Sequence, residues 1–266
     1  PLRSRNKRRD IIMNEEYYLL LDTSTEVCSV ALGSRDEIVD YEESSGTNKH
    51  AEQLAAMASR MLSRFDYRRD LRGVGVAGGP GSYTGLRIGA SYAKGLCWSL
   101  GIPLVSVMTT ELLAMTLFDM EDELDYPNAL LMPMIDARRM EVYTAIYTGS
   151  YGADYSGVVV PQTDIAAVVL TDEDSQLRIR EIVGDKLLYY FGNGAEKAKG
   201  LFDELLPGSH LIYDLHPRAD AMLSRVIESI AHGATEDVAY WEPYYLKEYE
   251  AKKSINKVLS RLMHDA

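Results

Sequence analysis

The run Gly78-Gly79-Pro80-Gly81-Ser82-Tyr83-Thr84-Gly85-Leu86-Arg87-Ile88-Gly89 constrains the fold more than any other part of this chain. The apolar run Leu71 to Ala77 before it is of strand type. Ala90 to Leu100 after it reads as helix. Glycine permits φ > 0 and lets another backbone or a ligand come close. The free amides at a helix start favour an anion. Strand, glycine turn and helix in that order is therefore phosphate-site architecture. No Gly-Lys-Ser/Thr follows, so the turn is not a P-loop. Apart from Ser82 and Thr84 it carries no acid, base or nucleophile, so it reads as a turn that binds without reacting.

With 266 residues the chain can build one large core or two smaller ones. It is 46% apolar and 26% charged, the balance of an ordinary globular chain. No apolar run approaches membrane-spanning length, and no apolar segment follows the basic N-terminus as in a secretory signal. No membrane partner is expected. Cys28 and Cys97 each sit within an apolar segment and read as lone buried thiols, which fits a reducing, cytoplasmic setting.

The net charge of −12 is unevenly spread. Arg3, Arg5, Lys7, Arg8 and Arg9 face only Asp10 within residues 1–12. This stretch is expected to be a disordered basic leader or a remnant ahead of a start at Met13. A basic arm for nucleic acid is the other reading. The remaining body is strongly acidic and repels phosphate backbones, so the chain is not expected to grip RNA by itself.

Tyr17 to Leu21 is a compact apolar strand ending in Asp22-Thr23-Ser24-Thr25. Strands at Val27 to Gly33 and Glu37 to Glu42 follow, which makes an antiparallel meander. Asp22, Thr23 and Ser24 offer short oxygens and amides that suit a phosphate or hydrated cation. They equally suit a turn that satisfies its own backbone. From His50 to Phe65 the apolar residues Leu54, Met57, Ala58, Met61, Leu62 and Phe65 fall on one helical stripe. His50 reads as a cap or surface residue there rather than a ligand.

In the helix after the glycine turn, Gly85, Gly89 and Ala93 recur every four residues. Such a face admits another helix closely, and each glycine costs about 1 kcal/mol relative to alanine. Packing on the sheet or a partner helix must offset that cost. A strand at Pro103 to Val107 and a helix at Thr110 to Phe118 lead into a polar, acidic stretch. That stretch reads as a connection over residues 119–127.

The second half opens in the style of the first. Ala129 to Ile135 is a strand, Asp136 to Met140 a turn, and Glu141 to Tyr147 the returning strand. Thr163 to Leu170 reads as a short helix. Leu187 to Phe191, then Gly192-Asn193-Gly194-Ala195, then Glu196 to Leu206 form a second strand, glycine turn and helix. Pro217 to Ala231 reads as an amphipathic helix with proline at its start. Trp241 to Leu246 is extended and aromatic, and Lys252 to His264 closes the chain as a charged helix.

Two strand–Asp–strand hairpins, each followed by a glycine turn and helix, are the plan of the actin-like, sugar-kinase and Hsp70 ATPase superfamily. More specifically, the chain resembles the TsaB (YeaZ) family of tRNA threonylcarbamoyladenosine biosynthesis proteins. The resemblance lies in Leu21-Asp22-Thr23-Ser24-Thr25 with Cys28-Ser29-Val30-Ala31, in His50-Ala51-Glu52-Gln53-Leu54, and above all in Gly79 to Gly89 with Ala93-Lys94-Gly95-Leu96. It continues in Asp136-Ala137-Arg138, Glu141-Val142-Tyr143, Gly192-Asn193-Gly194-Ala195 and Glu242-Pro243-Tyr244-Tyr245-Leu246. It implies an α/β fold of two tandem actin-like (RNase H-like) ATPase-type subdomains, each a mixed sheet flanked by helices. These are expected at residues 13–118 and 128–250, with 251–266 as a C-terminal helix.

The resemblance further implies a non-catalytic scaffold and activator of a TsaD-like catalytic subunit, working with a TsaE-like ATPase. The product of that machinery is the modified adenosine beside the anticodon of tRNAs that read ANN codons. The sister enzyme holds a metal with two histidines one helical turn apart. The five histidines here, at 50, 210, 216, 232 and 264, include no such pair. No catalytic residue and no metal site is therefore expected. Asp22, Thr23, Ser24, Gly79, Gly81, Ser82, Asp136 and Gly194 are the candidates for a vestigial phosphate or nucleotide site. ATP or ADP at the cleft or at a subunit interface is the candidate ligand, and no cofactor is required. Gly85, Arg87, Gly89 and Ala93 are the candidate partner interface, which the chain is expected to use for a homodimer when alone.

Two enzymatic alternatives stand beside this. A stand-alone ATPase or kinase needs carboxylates for the nucleophile and magnesium, and Asp22 and Asp136 are available. An M22-type glycoprotease needs a zinc set or a nucleophile with its base, and no His-Glu-x-x-His or Ser–His pairing is evident.

Overall fold

The computed structural model describes residues 16–46, 50–120, 129–151 and 157–246. The basic leader, residues 121–127 of the acidic connection and the closing helix expected at 252–264 lie outside the described residues.

The first sheet is built from β1 (Tyr17–Asp22), β2 (Val27–Gly33), β3 (Ile38–Ser45), β4 (Leu71–Ala77) and β5 (Leu104–Val107), in the order β3-β2-β1-β4-β5. The meander β1–β2–β3 is antiparallel, and β4 and β5 join it in parallel. Every residue of β1 is buried, so the strand reads as a continuous apolar run rather than an alternating one. Helix α1 (His50–Leu62) and the one-turn α2 (Tyr67–Asp70) connect β3 to β4, and α3 (Tyr83–Leu100) connects β4 to β5. Helix α1 buries Leu54, Met57, Ala58, Met61 and Leu62, the stripe its periodicity predicts. Helix α3 starts at an N-cap, Ser82, whose side chain accepts from the Gly85 amide, and stops at left-handed Gly101.

The second sheet comprises β6 (Ala129–Asp136), β7 (Glu141–Thr144), β8 (Tyr147–Tyr151), β9 (Gly157–Pro161), β10 (Ala166–Val169), β11 (Leu187–Phe191) and β12 (His210–Ile212). Its main path is β10-β7-β6-β11-β12, and β8 pairs with β6 and β9. Helices α4 (Thr109–Met120), α5 (Glu173–Val183), α6 (Lys199–Leu205) and α7 (Leu223–Ala231) complete the described elements.

Packing departs from chain order at two helices. Helix α4 precedes the second sheet, and its Leu113, Ala114 and Leu117 pack with Ala129, Leu131 and Ile135 of β6. Helix α7 follows the second sheet, but its Leu223 and Val226, with Met222 just before it, pack with Tyr18, Leu20 and Ala31 of the first. A glycine in β4 admits it: a Cβ on Gly75 would lie 2.5 Å from Val226 Cγ2. Helix α4 also puts Leu112 and Met115 among Leu20, Val105 and Val107 of the first sheet, so α4 between the sheets and α7 from late in the chain tie the two layers together.

The segment Thr163 to Leu170, expected as a helix, instead contains β10. Ala166–Val169 pairs antiparallel with Thr144–Glu141 of β7. Four apolar residues suit either state by pattern, and the open edge of β7 decides for strand. The expected helix from Pro217 begins later. A 3₁₀ turn at Ala219–Met222 precedes α7, because Arg218 stays extended with its guanidinium on Asp220. The expected helix Glu196 to Leu206 likewise divides into a 3₁₀ turn, Ala195–Ala198, and α6.

Candidate functional site: two hairpins and their glycine turns

Asp22 ends β1 and is completely buried. Its Oδ1 accepts from the Ser24 amide at 3.0 Å and the Ser24 hydroxyl at 2.6 Å. Its Oδ2 has no hydrogen-bond partner among the described residues. Burial of a carboxylate disfavours the charged form. Desolvation raises the Asp22 pKa to about 6, against the opposing pull of the Ser24 hydrogen bonds.

The glycine turn lies directly on this hairpin. The Thr23 hydroxyl donates to the Gly85 carbonyl at 2.7 Å, and the Ser82 amide donates to the Ser24 carbonyl at 2.7 Å. A Cβ on Gly85 would strike the Thr23 carbonyl oxygen, and one on Gly81 the Ser24 carbonyl oxygen. A Cβ on Gly89 would sit 2.5 Å from Thr23 Oγ1. These glycines make room for the chain's own first hairpin. Gly79, at φ +102°, does the same for the aromatic segment: a Cβ there would lie 2.6 Å from the Tyr244 carbonyl oxygen. The Tyr244 amide in turn donates to the Gly78 carbonyl at 2.7 Å.

The second hairpin repeats the arrangement. Asp136 ends β6, and its Oδ1 accepts from the Arg138 amide at 2.7 Å and pairs with the Lys197 ammonium. The Gly194 amide donates to the Met134 carbonyl at 3.0 Å, and a Cβ on Gly194 would lie 3.0 Å from the Asp136 nitrogen. Asn193, between the two glycines, joins the hairpins. Its Oδ1 accepts from the Asp136 amide at 2.9 Å, and its Nδ2 donates to Glu26 Oε2 at 2.8 Å.

The structure therefore gathers the predicted residues into two clusters. Asp22, Thr23, Ser24, Gly79, Gly81 and Ser82 belong to the first, and Asp136 and Gly194 to the second. Within each, the groups a phosphate would use already serve the protein. The Ser82 hydroxyl caps α3, the Ser82 amide is bonded to Ser24, and the Asp136 carboxylate is paired. Three residues that complete the arrangement, Glu26, Asn193 and Lys197, were not predicted for it. Only Asn193 carries a sequence signal, as a polar amide between two glycines after a strand.

The predicted partner face needs correction. Gly85, Gly89 and Ala93 are buried in the chain's own interior, because their small size admits Thr23 and the first sheet. Of the four residues only Arg87 is exposed, with its guanidinium 4.5 Å from the Tyr83 ring centroid. The solvent face of α3 is instead formed by Thr84, Arg87, Ser91, Gly95 and Trp98. Nothing lies within 4 Å of a Cβ on Gly95, and Trp98 is 74% exposed. Helical spacing puts Thr84, Ser91, Gly95 and Trp98 on the face away from Gly85 and Gly89, but it does not say which of the two faces the chain's own interior covers.

Comparison with known proteins agrees with this architecture. The family model described as TsaD, tRNA N6-adenosine threonylcarbamoyltransferase, matches residues 43–179. The tRNA threonylcarbamoyladenosine biosynthesis protein TsaB of Bacillus subtilis is 31% identical over 71% of this chain and 76% of its own length. TsaB of Escherichia coli is 28% identical over 89% of this chain and 97% of its own. Among solved structures, YeaZ from Pseudomonas aeruginosa superposes with a TM-score of 0.64 at 24% identity, covering 86% of this chain and all of that one. A second Pseudomonas aeruginosa protein, described as similar to peptidase YeaZ, superposes with a TM-score of 0.68 at 23% identity over 87% of this chain. These two share the fold, and the curated relatives share the sequence along most of its length. The chain belongs to the TsaB family of tRNA threonylcarbamoyladenosine biosynthesis proteins, within the wider threonylcarbamoyltransferase family that the matching model describes.

Proposed function

We infer that this chain is a non-catalytic subunit of the machinery that makes N6-threonylcarbamoyladenosine at position 37 of tRNA. It binds a TsaD-like catalytic subunit and holds it in its active form, with a TsaE-like ATPase as the further partner. One observation carries this reading: both hairpins are engaged by the chain's own groups, while α3 turns an open face with an exposed tryptophan to solvent. Aromatic anchors such as Trp98 dominate interface energies.

The reading assigns the partner contact to the outward face of α3, around Trp98 and Gly95. In the absence of the catalytic subunit the same face pairs two copies of the chain. No cofactor of its own is needed for this role, and tRNA is held mainly by the other subunits. The work belongs to the cytoplasm, where tRNA is modified; among the described residues no helix is long and apolar enough to cross a membrane.

Reconstitution tests it. A TsaD-like and a TsaE-like protein are incubated with tRNA, threonylcarbamoyl donor and ATP, with and without this chain. Full modification with the chain and little without it is expected. Trp98→Glu should abolish co-elution with the catalytic subunit and lower modification to the level without the chain. Equal modification in the chain's absence overturns the reading. ATP turnover by the isolated chain would favour the ATPase alternative, in which Asp22 and Asp136 act on nucleotide.

A further inference from the structure

Asn193 is held between the two hairpin turns by opposite ends of one amide. Its Oδ1 accepts from the Asp136 amide at 2.9 Å, and its Nδ2 donates to Glu26 Oε2 at 2.8 Å. A backbone N–H only donates and a carboxylate only accepts, so the two partners fix which end of the Asn193 amide points which way. The side chain is carried by a turn with little freedom. Gly192 before it has φ +104°, and a Cβ there would lie 2.5 Å from the Met134 carbonyl oxygen. The Gly194 amide after it donates to that same carbonyl at 3.0 Å. Glu26 reaches it from the other turn, four residues past Asp22, with its own carbonyl accepting from the Gly46 amide at 3.3 Å.

This bond differs in kind from the joints that α4 and α7 make between the layers. Those are buried apolar side chains such as Leu112, Leu113, Leu223 and Val226. Asn193 and Glu26 are both exposed, so water competes for their hydrogen bond. An exposed hydrogen bond opens far more readily than a buried apolar contact set. We propose that Asn193 and Glu26 form a clasp that holds the two hairpin turns shut against each other and lets them part when it breaks. Asp22, Thr23 and Ser24 lie on one side of it, and Asp136 and Gly194 on the other. The clasp thus closes the entrance between the candidate phosphate residues of the two turns, with the buried joints of α4 and α7 as the hinge. It is independent of the proposed role in tRNA modification.

Hydrogen exchange on variants of the full chain tests it. Glu26→Ala removes the carboxylate and leaves the bond between Asn193 and the Asp136 amide in place. It should speed exchange at least about threefold in residues 134–140 and 192–196, on the opposite turn, with β4 and β11 at parent rates. Asn193→Asp keeps an oxygen for the Asp136 amide but sets a second carboxylate against Glu26. It should speed exchange in residues 22–27 as well as in the second turn. The double variant E26Q/N193D reverses the bond, the new amide at position 26 donating to the new carboxylate at position 193. It should return both turns to within about twofold of parent rates, as directly coupled residues do. Parent rates in the second turn of Glu26→Ala overturn the proposal. So does a double variant that stays as fast as Asn193→Asp while β4 and β11 keep parent rates.

Discussion

Thr23 and Gly85 are joined by a buried hydrogen bond from the Thr23 hydroxyl to the Gly85 carbonyl at 2.7 Å, and a Cβ on Gly85 would strike the Thr23 carbonyl. The contact is backbone against backbone, so neither side can yield by turning a side chain. Gly85→Ala is therefore expected to destabilise the protein by about 1–3 kcal/mol, as overpacking against a rigid wall does. Gly95 on the same helix has open space around it. Gly95→Ala is expected to stabilise by up to about 1 kcal/mol through helix propensity. Urea unfolding of the two variants measures the contrast. Equal effects would mean that the glycine spacing reflects something other than the hairpin contact.

The two cysteines report on the same core. Cys28 on β2 and Cys97 on α3 are free and buried, and desolvation pushes both thiols up to about 12. The thiolate is the reactive form, so neither should react with a thiol reagent at pH 8 in the native protein. Both should react at once in denaturant. Timed labelling with Ellman's reagent tests this, and rapid native labelling of either residue would contradict the packing described for it.

Arg138 and Arg139 in the second hairpin turn both have positive φ, 71° and 49°. A non-glycine residue in this region costs roughly 1–2 kcal/mol. The Asp136 carboxylate offsets part of that cost by accepting from the Arg138 amide at 2.7 Å. Arg138→Gly should stabilise the protein by roughly 0.5 kcal/mol, the relief being reduced by the entropy glycine loses on folding. Asp136→Ala should cost about 1–2 kcal/mol, since the turn amide loses its acceptor and Lys197 its carboxylate partner, keeping only the Glu141 carbonyl at 3.1 Å. Thermal unfolding of the two single variants gives the signs directly.

The sequence made the hairpin–glycine-turn–helix plan legible because glycines and strand-end aspartates sit at positions with strict backbone demands. Asp22, Asp136 and the two glycine turns were found that way. The direction in which the small residues face was not legible. A stripe of Gly85, Gly89 and Ala93 admits close approach equally by a partner helix or by the chain's own hairpin, and only the fold shows Thr23 there. The packing of α7 on the first sheet was hidden for a related reason. An amphipathic helix states that it has a buried face but not which sheet covers it. Asn193 as the tie between hairpins escaped because Glu26, its partner, is 167 residues away in the chain. Segment Thr163 to Leu170 failed for want of length: the six apolar residues Ile165 to Leu170 do not distinguish strand from helix.

Asp22 gives the chain a pH dependence whose sign follows from its burial. In the unfolded chain its pKa is that of an ordinary aspartate, 3.8, and in the folded protein it is about 6. A folded pKa above the unfolded one stabilises the fold when the group is protonated. That contribution is fully present below about pH 4 and is lost as pH rises through about 6. The two-unit shift corresponds to roughly 3 kcal/mol at about 1.4 kcal/mol per unit. Asp22→Asn keeps an oxygen to accept from Ser24 and removes the buried charge. The variant should be more stable than the parent by up to about 3 kcal/mol at pH 7.5, with the gain shrinking towards zero near pH 4. Denaturant unfolding of both proteins from pH 4 to 7.5 measures it. A stability difference that does not change with pH would mean that Asp22 stays charged throughout, its Oδ2 served by a cation or donor beyond the described residues.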